Sequence, residues 1–223
     1  CNIGDIVSIK RDDRTAALRY EEARRILKEL VETDSEGRLQ TNRCLAIILE
    51  RQGDVARRLE KWTDAGRYYD EAAMLIEDQT AGGNPAFDVI RDYAVLLQKQ
   101  GSVALQNHEL SVAKKHLTSG HKMFRNLANR GPLNAQSQRD LAVSFSRLAE
   151  INVLSKDLTG GYRDFTDAAH LFSELLEGDS ENAGLMRDLA AIHSRQGELA
   201  FDIGLATEAQ SHLRKAVDIY EQL

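Results

Sequence analysis

Residues 42–56 read NRCLAIILERQGDVA. The pattern returns at 90–104 as IRDYAVLLQKQGSVA, at 138–152 as QRDLAVSFSRLAEIN and at 186–200 as MRDLAAIHSRQGELA. Arg43, Arg91, Arg139 and Arg187 therefore stand 48 residues apart each time. A fixed period of about 20–50 residues marks an array in which each unit covers its apolar face with its neighbours.

The rest of the period keeps the same register. Ala65, Ala113, Gly161 and Ala209 form one column of small residues. Four positions on stand Tyr69, Leu117, Phe165 and Leu213, then Ala72, Gly120, Ala168 and Ala216, then Ile76, Phe124, Phe172 and Tyr220. Steps of three and four place all of these on one helix face. The small residues let a neighbouring helix approach and the large ones fill the spaces between. Leu45, Ile48, Leu49, Val55 and Leu59 form a second stripe, echoed by Tyr93, Leu96, Leu97 and Val103 and by Leu189, Ile192 and Leu199. Each period is thus a pair of antiparallel amphipathic helices. Breakers recur between the pairs at Ala81-Gly82-Gly83-Asn84-Pro85, Arg130-Gly131-Pro132 and Gly178-Asp179-Ser180. Shorter turns near Trp62, Leu110, Leu158 and Ala206 divide each pair. An earlier period is offset by 49: Gly4-Asp5 answers Gly53-Asp54, and Ala16, Tyr20 and Ala23 answer Ala65, Tyr69 and Ala72. Its extra residue is expected in the loop around Thr33 to Arg38. The repeats run approximately 1–34, 35–82, 83–130, 131–178 and 179–223, four full periods and most of a fifth in a single domain.

A Gly, an Ala twelve residues later, an aromatic or Leu four further on and an Ala three after that resemble the tetratricopeptide repeat. Gly197, Ala209, Leu213 and Ala216 carry the resemblance, as do Gly53, Ala65, Tyr69 and Ala72. The repeat at Arg139 departs from it, with Ala149 at the Gly place and Gly161 at the Ala place. The period departs too, at 48 against the family's usual 34. The chain looks like a long-helix variant of the kind found in large multidomain bacterial regulators. The resemblance implies an all-α, right-handed α-solenoid whose first helices line a concave surface. It is specific for fold and says little of function.

The 29 Lys+Arg against 35 Asp+Glu and a pI near 5.6 argue against nucleic-acid binding, which relies on a basic surface. No apolar run approaches the roughly 18 residues of a membrane span, and no signal segment opens the chain. Cys1 and Cys44 are too few for a disulfide framework, which suits a reducing, cytoplasmic setting. The opening on Cys1, inside a helical pattern, suggests a fragment of something longer. Ile3, Ile6 and Val7 at one end and Val217, Tyr220 and Leu223 at the other predict apolar ends, and hence end-to-end self-association of the fragment.

Candidate binding residues lie away from the apolar stripe. On the first helix Arg43, Ile47, Glu50, Arg51 and Asp54 fall within an arc of about 100°. Down the columns stand Arg43, Arg91, Arg139 and Arg187; then Ile47, Val95, Val143 and Ala191; then Arg51, Lys99, Arg147 and Arg195; then Asp54, Ser102, Glu150 and Glu198. An apolar seam between two basic rails suits an acidic peptide or partner helix, because arginine forks onto carboxylates. A second reading stays open beside it. Arg51–Asp54, Arg147–Glu150 and Arg195–Glu198 are spaced to pair on their own helix, and Arg139 and Arg187 could brace an acid on the next repeat.

No nucleophile stands near a plausible base, the six histidines show no metal spacing, and the glycine pairs lack phosphate-loop context. No catalytic residue, metal or cofactor is expected. His193 reads as a packed core residue, Trp62 as a helix-start packing residue and Cys44 as inert packing. The expected function is a non-enzymatic interaction scaffold that holds a peptide, a partner segment or another part of its own polypeptide in the groove. The alternative is a regulatory or sensor arm of a multidomain effector, such as a nucleotide-binding switch, protease or nuclease.

Overall fold

The computed structural model of the protein describes residues 13–33, 37–80, 85–130 and 135–223. The expectations for Cys1 to Val7, Gly82-Gly83-Asn84 and Gly131-Pro132 lie outside the described residues. Among those residues the chain is all-α, a helical repeat with no strand: α1 (Asp13–Thr33), α2 (Arg38–Arg58), α3 (Trp62–Thr80), α4 (Phe87–Gln106), α5 (Leu110–Ala128), α6 (Ala135–Leu154), α7 (Leu158–Gly178), α8 (Ala183–Asp202) and α9 (Ala206–Glu221). The described residues form two compact bodies divided between His116 and Leu117, inside α5.

Each described helix pair turns at the same position of the repeat. Glu60, His108, Lys156 and Gly204 lie 48 apart, and each adopts a left-handed backbone, with φ of 58°, 62°, 67° and 83°. The amide after each one donates to a carbonyl five residues back, as Lys61 N does to Ala56 O at 2.9 Å and Leu205 N to Ala200 O at 2.8 Å. The amide of the left-handed residue itself donates three residues back, as Glu60 N does to Arg57 O at 3.1 Å. Together these bonds satisfy the last carbonyls of the helix in a Schellman arrangement. Only Gly204 adopts this conformation without a Cβ; the other three hold it against a steric cost of roughly 1–2 kcal/mol.

In the N-terminal body Ala16 and Tyr20 of α1 pack on Ile48 and Val55 of α2. The predicted column Ala65, Tyr69, Ala72 and Ile76 of α3 is wholly buried. The Tyr69 ring lies directly over Gly53, where any Cβ would run into it. Its hydroxyl then donates to Asp54 Oδ1 at 2.9 Å. Farther out, Arg24 and Lys28 of α1 reach Glu71 of α3 at 2.7 and 2.9 Å. Burial alone would raise the Glu71 carboxyl, but the hydrogen bonds from Lys28 and Arg24 outweigh it and hold the group below its ordinary range.

In the C-terminal body Phe165, Ala168 and Phe172 of α7 pack between Ala142 and Ala149 of α6 and Leu189 and Ile192 of α8. The departure at Ala149 and Gly161 has a steric cause. A Cβ on Gly161 would sit 2.6 Å from Val153 Cγ2 and 3.1 Å from the Ala149 carbonyl. The repeat has exchanged which helix gives up its side chain, so the two backbones still approach closely. On α9 the column changes character: Ala209 and Ala216 remain buried, while Leu213, Val217 and Tyr220 are 44%, 53% and 51% exposed.

Polar groups are also built into this second core. His121 Nδ1 lies 2.9 Å from Ser144 Oγ, which donates to the Leu141 carbonyl at 2.7 Å. The serine proton being committed to that carbonyl, His121 is the donor to Ser144. Burial, with Arg125 nearby, lowers its pKa to about 4. His193, expected as a packed core residue, is buried and donates from Nδ1 to Gln196 Oε1 at 2.9 Å. Its ring stacks on that of His212 at 5.5 Å, and Tyr162 Oη lies 3.1 Å from His212 Nε2.

Candidate interaction groove

The predicted seam is built twice, once in each body, and the two versions differ. In the N-terminal body it lies between α2 and α4. Arg43 Nε donates across it to Asp92 Oδ2 at 2.7 Å, 49 residues on. At the other end Lys99 Nζ reaches back to Glu50 Oε1 and Asp54 Oδ2, both at 2.6 Å. The Lys99, Glu50 and Asp54 side chains are 21%, 14% and 15% exposed. The arc that the spacing places away from the apolar stripe is therefore not open here, because the Lys99, Glu50 and Asp54 side chains cover one another. Arg51 stands outside the cluster, 3.9 Å from Glu50 and 3.8 Å from Asp54. Ile47, Val95 and Arg91 are half-buried.

In the C-terminal body the seam runs between α6 and α8. Arg139 Nη2 reaches Asp188 Oδ2 at 3.2 Å, the same step of 49 residues, with both side chains nearly half exposed. Among the described residues no second strap crosses the far end. Arg195 stands where Lys99 does two repeats earlier, but Ser146 replaces Glu50 and Glu150 replaces Asp54. With one acid gone, each arginine stays on its own helix, Arg147 with Glu150 at 3.1 Å and Arg195 with Glu198 at 2.8 Å. Ser146 Oγ donates to the Ala142 carbonyl at 3.1 Å and does not cross. The apolar column also shrinks, from Ile47 and Val95 to Val143 and Ala191.

The outcome is an open cavity of about 200 Å³. Val143 and Ala191 face it, Ile192, Phe165 and Phe172 lie buried behind them, and Arg147, Arg195, Glu150 and Asp188 carry its charge. Val143 is 38% exposed, so the seam offers apolar surface to solvent. Arg187, in the last member of its column, is exposed. Of the predicted residues, the structure thus gathers Val143, Arg147 and Arg195 around one opening and ties Arg43 and Lys99 into straps. Ser146 was not singled out from the sequence, and Phe165 and Phe172 were read there only as packing residues of the apolar columns. Comparing Glu50 with Ser146 down their column is the signal that would have found the opening. Among the described residues, no three of His, Cys, Asp and Glu are grouped so as to hold a metal ion, and no helix is long and apolar enough to cross a membrane.

Antiparallel helix pairs in a fixed register, with a small residue at each crossing, define a tetratricopeptide-type repeat fold. Solved structures agree. BtubC (BKLC) from P. vanneervenii superposes with a TM-score of 0.75 at 16% identity, over 98% of this chain and 77% of that one. The apo form of RapI does so with a TM-score of 0.73 at 11% identity, over 98% and 68%. A Rap protein complexed with competence and sporulation factor gives 0.62 at 16% identity, over 98% of this chain and 53% of that one, so this chain spans about half its length. At such identities the likeness is one of fold. No family model matches the sequence, and no curated protein sequence matches it.

Proposed function

We propose that the protein is a non-enzymatic interaction scaffold that holds an acidic, apolar-bearing peptide segment in the groove between α6 and α8. One observation carries this reading: the seam strapped shut by Lys99 in the N-terminal body is open in the C-terminal body, with Arg147 and Arg195 on either side. Each arginine there holds only a neighbour on its own helix. Such exposed pairs contribute roughly 0–1 kcal/mol, so a ligand carboxylate displaces Glu150 or Glu198 at little cost. An apolar side chain of the ligand enters beside Val143 and Ala191. That a protein of this fold has been seen with competence and sporulation factor bound supports a binding role for the architecture.

The test is affinity capture with the wild-type chain and with the double variant Arg147→Glu/Arg195→Glu, each followed by mass spectrometry. The wild type is expected to retain a partner that an excess of an acidic, leucine-bearing peptide elutes. The double variant is expected to lose it with its circular dichroism unchanged. Equal retention by the folded variant removes the groove from the function.

A further inference from the structure

A larger opening lies on the other side of the N-terminal body, where α3 faces the start of α5. It is a cleft of about 590 Å³, bordered by Trp62, Gly66, Met74, Val103, Val112 and His116. The repeat shows why it is open. Two periods on, position 66 becomes Tyr162 and position 116 becomes His212. There the tyrosine hydroxyl lies 3.1 Å from the imidazole, with the rings edge to face at 5.9 Å, so the chain's own phenol occupies the space. The surrounding frame is kept. Gln100 Nε2 donates to Asp70 Oδ1 at 2.7 Å, as Gln196 Nε2, two periods on, donates to Thr166 Oγ1 at 3.1 Å. At Gly66 the frame stands without its plug. A Cβ built there would meet only Val103 Cγ1, at an ordinary contact distance of 3.4 Å.

The surface of the cleft is aromatic and soft. Trp62 and His116 supply aromatic rings to its border, and Met74, 77% exposed, offers a thioether that packs well against aromatic rings. Its charge is acidic once internal pairs are set aside. Arg67 pairs with Asp64 at 3.0 Å, and Glu71 is held by Arg24 and Lys28. Asp70 and Glu109 also border the cleft, and among the described residues neither has a cation within ion-pair distance. The volume is within the usual range for a ligand site.

We propose that this cleft binds a partner segment that presents a tyrosine or similar aromatic side chain flanked by lysine or arginine. The aromatic ring takes the place that Tyr162 fills two repeats later, its hydroxyl meeting His116, while the flanking cations reach Asp70 and Glu109. Neutral imidazole is the form such a hydroxyl can donate to, and burial, with the nearby Lys115 cation, keeps His116 below its ordinary pKa against the pull of Asp70. The site lies in the other body from the arginine groove and selects the opposite charge, so the two readings stand or fall separately.

Trp62 is the chain's single tryptophan and borders the cleft, so its emission reports occupancy directly. The probe is an acetylated, amidated pentapeptide, Lys-Lys-Tyr-Lys-Lys, titrated into the wild-type chain. A saturable change in emission is expected, about tenfold weaker when alanine replaces the peptide's tyrosine and also weakened by salt. Gly66→Tyr plugs the cleft and should abolish the response while preserving or raising the melting temperature, since tyrosine is a better helix former than glycine. Asp70→Asn/Glu109→Gln, which leaves the packing alone, should weaken the lysine peptide about tenfold. The proposal is overturned by unaltered affinity in the folded Gly66→Tyr variant. It is equally overturned by full affinity in the charge-neutral variant, or by no saturable change up to millimolar peptide.

Discussion

Helices α2 and α4 in the N-terminal body and α6 and α8 in the C-terminal body are copies of one arrangement, two periods apart. In the first, Arg43 and Lys99 cross the seam to acids 2.6–2.7 Å away. In the second, one crossing survives at 3.2 Å, and the other is replaced by pairs that never leave their own helix. A single column explains much of the contrast: Glu50 supplies an acid facing Lys99, and Ser146 supplies none facing Arg195. The difference separates two uses of one basic column, a structural cation where acids converge on it and a presentable one where they do not. Proximity of charge alone would not distinguish them, because each cation is within 4 Å of a carboxylate. Burial and the helix of origin do.

The largest effect should come from removing the strap. Lys99→Met leaves Glu50 and Asp54 close together and mostly covered, and breaking such a pair costs about 2–4 kcal/mol. Arg195→Met at the equivalent place should cost under about 1 kcal/mol, its partner being exposed. Urea denaturation of the two variants checks this, and equal losses would erase the contrast between the seams.

Acid should sharpen it. His121, His193 and His212 in the C-terminal body are all held below the ordinary imidazole pKa, first by burial, whereas His116 is the one such histidine found in the N-terminal body among the described residues. A depressed imidazole favours the neutral native form, so the unfolded chain binds more protons as pH falls below about 6.5. Stability is therefore expected to be full above that pH and to fall towards pH 4, with His121 alone contributing on the order of 2–3 kcal/mol. Hydrogen exchange at pH 7 and pH 5 should show the C-terminal body losing protection first, with simultaneous loss sinking the assignment.

The turns should respond least. Glu60→Gly and Lys156→Gly, one in each body, should each stabilise the chain by about 0.5–1 kcal/mol, because glycine adopts the left-handed backbone freely. Gly204→Ala should lose a similar amount. Thermal melts resolve the signs, and a destabilised Lys156→Gly would show that its side chain matters more than its backbone.

The repeat and its buried columns were legible because helix packing writes itself as small and large residues at steps of three and four. A brace onto the next repeat was legible at Arg139, which reaches Asp188, but the same step from Arg43 to Asp92 was not read from the sequence. Nor was the role of Lys99. Spacing within one helix pointed to Arg51 and Asp54 as partners, whereas the bond that forms joins two helices 45 residues apart. The left-handed turns were hidden because three of the four residues in that column are not glycine. The cleft at Gly66 was hidden because its signal is a missing side chain, visible only against Tyr162.

The exchange between Ala149 and Gly161 has a consequence for anyone who recombines these repeats. Gly53 with Ala65 and Ala149 with Gly161 are two solutions to one crossing, and each works only as a set. A chimera cut between the helices of a pair would set the Ala149 side chain against Tyr69, whose ring needs the room that Gly53 leaves, or unite two glycines and leave a void. Crossovers placed between pairs keep each set together. The natural module for shuffling is thus the whole period, and each half carries a memory of its mate.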